Sequence, residues 1–143
     1  MYIKCDGGSR GNPGPAAAAF VAFDNGRIVA RHVEFLGVHT NNEAEYMAVI
    51  TALAWVQKYE PRSPIYTDSM VVANQITGEY KCEEKRLQKL KEIIDKKFRT
   101  RLVRFINRED NVEADKLVKE LLDQWPKNDN LQDEPCQLSL IKE

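Results

Sequence analysis

At 143 residues the chain fits one domain of ordinary size, about 100–200 residues, and leaves little room for a second. Hydrophobic residues at 43% exclude a disordered chain, and 30% charged residues balanced to a net charge of −1 exclude an argument for a polyanionic partner from overall charge, so any nucleic-acid case must rest on local patches. No run approaches the roughly 18 apolar residues of a membrane span, and the opening MYIKCDGG lacks the basic-then-apolar order of a signal peptide, so a cytoplasmic protein with no membrane partner is expected.

Residues 2–5 read as a short strand that stops at Asp6, because the following GGSRGNPGP is rich enough in Gly and Pro to predict a turn. Residues 16–23 and 27–36 read as two further strands joined at Asp24-Asn25-Gly26, where Asn-Gly supplies the positive φ of a tight hairpin. Thr40 with Glu43 three residues on is the reciprocal capping pattern of a helix start, and Ala44, Met47, Ala48, Thr51, Ala54 and Trp55 recur at helical spacing up to about Tyr59. A short strand at 64–68 ends in Asp68, and Ser69 opens a short helix that Gly78 should close.

From Lys81 to Lys97 the residues Leu87, Leu90, Ile93 and Ile94 mark an amphipathic helix, and 101–106 alternates like a strand. Residues 81–108 hold eleven Lys or Arg against four acids, the chain's one marked charge asymmetry, although a basic helix face is more often simply solvated. The last helix begins near Asn111, read as its cap, and carries Ala114, Leu117, Val118, Leu121, Leu122 and Trp125 on one stripe until Pro126 ends it. Domain limits of 1–126 and a flexible tail over 127–143 follow. Cys5, Cys82 and Cys136 stand singly and fit neither a disulfide framework nor a zinc set, and His32 and His39 read as solvated or packed.

This element order suggests a mixed α/β sheet with helices packed against it. Four acids stand out by position: Asp6 and Asp68 at strand ends, Glu45 and Asp115 in the first turns of helices. Sites in open α/β sheets form beyond strand ends, so the four can converge on one rim. Convergent carboxylates repel one another unless cations hold them, and hard oxygen donors select Mg²⁺ or Mn²⁺, the chemistry of a two-metal phosphoryl site. Ordinary caps and strand-end acids explain the same positions equally well.

The run Asp6-Gly-Gly-Ser-Arg-Gly-Asn-Pro-Gly-Pro15, then Thr40-Asn41-Asn42-Glu43-Ala44-Glu45, Thr67-Asp68-Ser69, and Asn111 through Ala114-Asp115 resembles ribonuclease H type 1, in that order and over residues 1–125. The resemblance implies the ribonuclease H-like fold, a mixed five-stranded sheet whose first three strands are antiparallel. It implies Asp6, Glu45, Asp68 and Asp115 as the catalytic quartet holding two Mg²⁺ ions, with Mn²⁺ an alternative, in a monomeric enzyme. The implied reaction is hydrolysis of the RNA strand of an RNA–DNA hybrid to 5′-phosphate and 3′-hydroxyl ends. Substrate contacts carry over onto Gly7, Asn12, Thr40, Asn41, Asn42 and Ser69, with the three Asn residues at the minor groove and Thr40 at a DNA-strand phosphate. A hybrid's wide, shallow minor groove with 2′-hydroxyls on one strand suits such a sequence-tolerant test for RNA. Two other readings remain: a silent module that binds hybrid or duplex RNA, and a DNA-cutting member of the same superfold.

The chain departs from the family in places. Only Tyr80 to Lys85 separates Gly78 from the next helix, where some members carry a basic protrusion, so weaker substrate grip, or grip moved elsewhere, is expected. Many relatives have a mobile His before the last helix; here Asn107-Arg108-Glu109-Asp110 has none, and Arg108 and Glu109 are the candidates for that loop's role. Val38 stands where relatives often place an Arg near the DNA phosphate. In the tail, Gln137-Leu138-Ser139-Leu140-Ile141 resembles the peptide with which bacterial replication proteins dock on the DNA sliding clamp, a tether that would raise local concentration at DNA.

Overall fold

The computed structural model describes residues 1–124; Trp125, Pro126 and the clamp-like peptide Gln137 to Ile141 lie outside the described residues. Strands β1 (Tyr2–Ser9), β2 (Gly14–Asp24) and β3 (Arg27–His39) form the antiparallel meander. The β2–β3 turn has Asn25 at φ 52° and Gly26 at φ 76°, as the Asn-Gly pair requires. Then follow α1 (Asn41–Tyr59), β4 (Ile65–Thr67), α2 (Met70–Thr77), α3 (Lys85–Lys97), β5 (Val103–Phe105), one turn of 3₁₀ helix (Arg108–Asp110) and α4 (Val112–Gln124). The sheet order is β3-β2-β1-β4-β5, with β4 parallel to both β1 and β5. Among the described residues, no helix is long and apolar enough to cross a membrane.

Local chemistry explains most element ends. Thr40 caps α1 in a full capping box, its hydroxyl accepting from the Glu43 amide at 3.2 Å while Glu43 Oε1 accepts from the Thr40 amide at 2.8 Å. Ser69 caps α2 by accepting from the Val72 amide at 3.2 Å, and Gly78 at φ 92° ends that helix in the left-handed region. Gly78–Glu84 then lead directly into α3, which starts at Lys85 rather than at the expected Lys81.

Strand β1 differs most from expectation. It does not stop at Asp6 but continues through Gly7, Gly8 and Ser9, which pair with Ala18, Ala17 and Ala16. Backbone pairing with a long neighbour overrides the conformational freedom of the two glycines, and the turn is displaced to residues beyond Ser9.

The sheet is buried on both faces. On one side Ala16, Ala18, Phe20 and Ala22 of β2 pack with Ile3, Cys5 and the residues of α1, α2 and α3. On the other, Ala17, Ala19, Val21 and Phe23 meet Ala114, Val118 and Leu122 of α4. Helix α1 lies between the sheet and α3, so it is buried from Ala44 through Leu53 almost without interruption. The expected one-sided stripe on α1 is therefore too narrow, with Tyr46 and Val49 fully buried outside it.

Candidate active site

Three carboxylates meet where β1, α1 and β4 converge. Asp6 comes from β1, Glu45 from α1, and Asp68 follows the carboxyl end of β4. One oxygen from each lies within 4.8 Å of the others. Asp6 and Glu45 are buried, and Asp68 is half-buried.

Gly7 makes this convergence sterically possible. A Cβ at Gly7 would sit on the Ala44 carbonyl, so the backbones of β1 and α1 touch there and no larger residue fits. That contact brings the Gly7 amide to donate to Glu45 Oε1 at 3.0 Å. Glu45 is thus held by a strand amide and lies beyond the first turn of α1, not within it as the sequence suggested. Asp68 accepts at Oδ2 from Asn111 Nδ2 at 3.2 Å, and the same amide donates to the Cys5 carbonyl at 2.8 Å.

All three acids hold their protons more tightly than free carboxyls. Burial, then the neighbouring Asp68 and Asp115, push Asp6 up to about 8. Burial, then Asp6 and Asp68, raise Glu45 well above the usual range, against the opposing pull of the Gly7 amide. Burial raises Asp68, with the Asn111 hydrogen bond and the Arg108 charge opposing. Among the described residues no Lys or Arg forms an ion pair with any of these three. The exposed Arg108 of the 3₁₀ turn favours the ionised form of all three without forming an ion pair with any of them.

The donor set therefore fits hard divalent cations: oxygen only, mutually repulsive when ionised, and without a fixed protein counter-charge. Asp6, Glu45 and Asp68 would hold such ions. Asp115, in the first turn of α4, is not one of the three carboxylates within 4.8 Å of one another; it stands near enough to help raise Asp6 and pairs with Lys119 at 3.0 Å, a fourth acid at the rim.

The remaining predicted positions fall into two groups. Asn12 Oδ1 accepts from the Asn41 amide at 2.9 Å and Asn41 Oδ1 accepts from the Ser9 amide at 3.3 Å, so an exposed loop and the start of α1 are stitched into one surface that also carries exposed Asn42. Thr40 and Ser69, in contrast, spend their hydroxyls on helix caps. Glu109 is exposed in the 3₁₀ turn beside Arg108.

Asn111 is the residue whose part the sequence concealed. It occupies the start of α4 and its carbonyl accepts from the Asp115 amide at 3.3 Å, but its side chain does not cap. It turns instead to Cys5 and Asp68. A polar residue before an apolar helix carries the same signal in both cases.

Comparisons with known proteins agree with this geometry. A family model described as reverse transcriptase-like matches residues 4–121. The bifunctional protein Rv2228c of Mycobacterium tuberculosis is 33% identical in an alignment of 129 positions that covers 86% of this chain and 35% of that protein, so the chain spans about a third of its length. The crystal structure of RNase H1 from the halophilic archaeon Halobacterium salinarum aligns with TM-score 0.79 and 32% identity over 87% of this chain and 98% of that one. LC11-RNase H1, crystallised in complex with an RNA/DNA hybrid, aligns with TM-score 0.74 and 34% identity over 86% and 96%. Sheet order, site geometry and these matches converge, and the chain belongs to the reverse transcriptase-like family with the ribonuclease H fold.

Proposed function

We propose that this chain is a divalent-metal-dependent endonuclease that hydrolyses the RNA strand of RNA–DNA hybrids, leaving 5′-phosphate and 3′-hydroxyl ends. The observation that carries the reading is the cluster of Asp6, Glu45 and Asp68, three hard oxygen donors within 4.8 Å, with no cationic side chain paired to them among the described residues. Two divalent ions bound there, Mg²⁺ or Mn²⁺, would activate a water and offset the charge that develops on the leaving oxygen.

The chain's own residues do the rest. The Gly7 amide holds Glu45, Asn111 holds Asp68, and Asp115 stands beside Asp6, so the cluster is ordered before substrate arrives. Arg108 brings an exposed positive charge to the rim, where a phosphodiester would lie. The joined Asn12, Asn41 and Asn42 surface suits contacts to base edges and 2′-hydroxyls in the minor groove. Cationic side chains of residues 81–108 supply salt-sensitive attraction to phosphates that the net charge of −1 conceals. The hybrid bound by LC11-RNase H1 supports the substrate class.

An end-labelled RNA–DNA hybrid, incubated beside single-stranded RNA, duplex RNA and duplex DNA with Mg²⁺, Mn²⁺ or chelator, tests the reading. Cleavage of the hybrid's RNA strand alone, dependent on metal, is expected. Binding without cleavage under either metal would leave a silent binding module, and cleavage of duplex DNA would favour the DNA-cutting relatives.

We also propose, on the sequence of Gln137 to Ile141 alone, that the tail docks on a bacterial sliding clamp as a tether for a cytoplasmic nuclease. Deleting residues 136–143 should abolish retention on immobilised clamp and leave cleavage of free hybrid unchanged. Equal retention with and without the tail would remove this part of the proposal.

A further inference from the structure

We infer that Asn111 is a positioning residue that sets the cation affinity of the site by fixing Asp68 against β1; the inference rests on the metal-dependent reading above. Asn111 is fully buried between the 3₁₀ turn and α4. Both protons of its amide are used: one goes to the Cys5 carbonyl at 2.8 Å, next to Asp6, and the other to Asp68 Oδ2 at 3.2 Å. One side chain thus ties together the two strands that deliver Asp6 and Asp68.

Two features argue that this amide does more than fill space. Its Oδ1 is buried with no partner among the described residues, an arrangement that costs stability. The same side chain also forgoes capping α4, although it sits where its carbonyl already accepts the first helical bond. Stability alone would favour a residue that caps the helix and leaves no orphan. The amide does what such a residue would not: as a neutral donor it fixes one carboxylate oxygen without neutralising the charge, so the acid stays a ligand. Hydrogen-bond partners of metal-binding carboxylates typically change metal affinity about 10–100-fold when removed.

The test is Mn²⁺ titration of the full metal-free chain, followed by the electron paramagnetic resonance of free Mn²⁺. Asn111→Ala should weaken binding about 10–100-fold. Leu122→Ala, which removes buried methyl groups from the far end of the same helix, should lower stability and keep wild-type affinity. Equal affinity in Asn111→Ala and wild type overturns the inference, as does an equal loss in Leu122→Ala. Should Asn111→Ala fail to fold, the wild type decides: its Asn111 side-chain amide NMR signals should shift as Mg²⁺ is added, and stationary signals overturn the inference. A wild-type chain that takes up no Mn²⁺ overturns the metal-dependent reading itself, a result distinct from either variant matching wild type.

Discussion

Asp68→Asn is expected to slow RNA-strand cleavage at least about a thousandfold, equivalent to about 4 kcal/mol of lost transition-state stabilisation, while hybrid binding stays within a few-fold of wild type. The substitution is isosteric, and the replacement amide keeps one oxygen for the Asn111 donor, so the local packing has no reason to move. It removes one negative charge from a cluster in which, among the described residues, no Lys or Arg pairs with Asp6, Glu45 or Asp68. The surface formed by Asn12, Asn41 and Asn42 is untouched, as are the cations of α3. Single-turnover cleavage and fluorescence anisotropy, read side by side, separate the two effects. Cleavage near the wild-type rate would mean that this carboxylate takes no part in the reaction.

Stripped of metal, the folded chain is expected to lose about 5 kcal/mol of stability between about pH 4 and about pH 8 as the proton shared by Asp6 and the acids beside it is released, roughly 1.4 kcal/mol for each pH unit. The sign follows from where the proton sits. Asp6 is pushed up to about 8 in the folded state, whereas an unfolded aspartate titrates near 4. Between those values the folded chain keeps a proton that the unfolded chain has released, so raising the pH favours unfolding. The stabilising contribution is complete below about pH 4 and gone above about pH 8. Burial raises Glu45 and Asp68 in the same direction, steepening the slope. Bound divalent cations hold the carboxylates in their ionised form and should flatten it. Urea denaturation across this range, in chelator and in saturating Mg²⁺, provides the comparison, and a flat profile in chelator would contradict the strong burial of Asp6.

Much of this architecture was legible because local chemistry and tertiary structure agree at the relevant positions. The Thr40–Glu43 box, the Asn25-Gly26 hairpin and the Ser69 and Gly78 limits of α2 all act within a few residues, so a linear reading finds them. In strand β1, Gly7 and Gly8 signal a turn locally, yet pairing with Ala18 and Ala17 decides their conformation. The stripe on α1 was too narrow because periodicity assumes one solvated face, and α3 covers that face here. Position at strand ends and the resemblance to ribonuclease H already bring Asp6, Glu45 and Asp68 to one rim, and the structure places them together. The part of Asn111 depends on a contact spanning 106 residues, which no local spacing encodes.

The alanines of β2 act as a thickness gauge. Ala16, Ala18 and Ala22 lie under the layer that contains α1, while Ala17 and Ala19 lie under α4. Glu45 and Asp115 ride on those two helices, on opposite sides of one sheet. The short methyl groups of that strand, Ala19 directly opposite Asp6 among them, therefore set how far apart the two carboxylate carriers stand. Changes in side-chain volume along β2 would alter the span of the site without touching a single acid, so the calibration of this centre is written in a stretch of sequence that has no chemistry of its own.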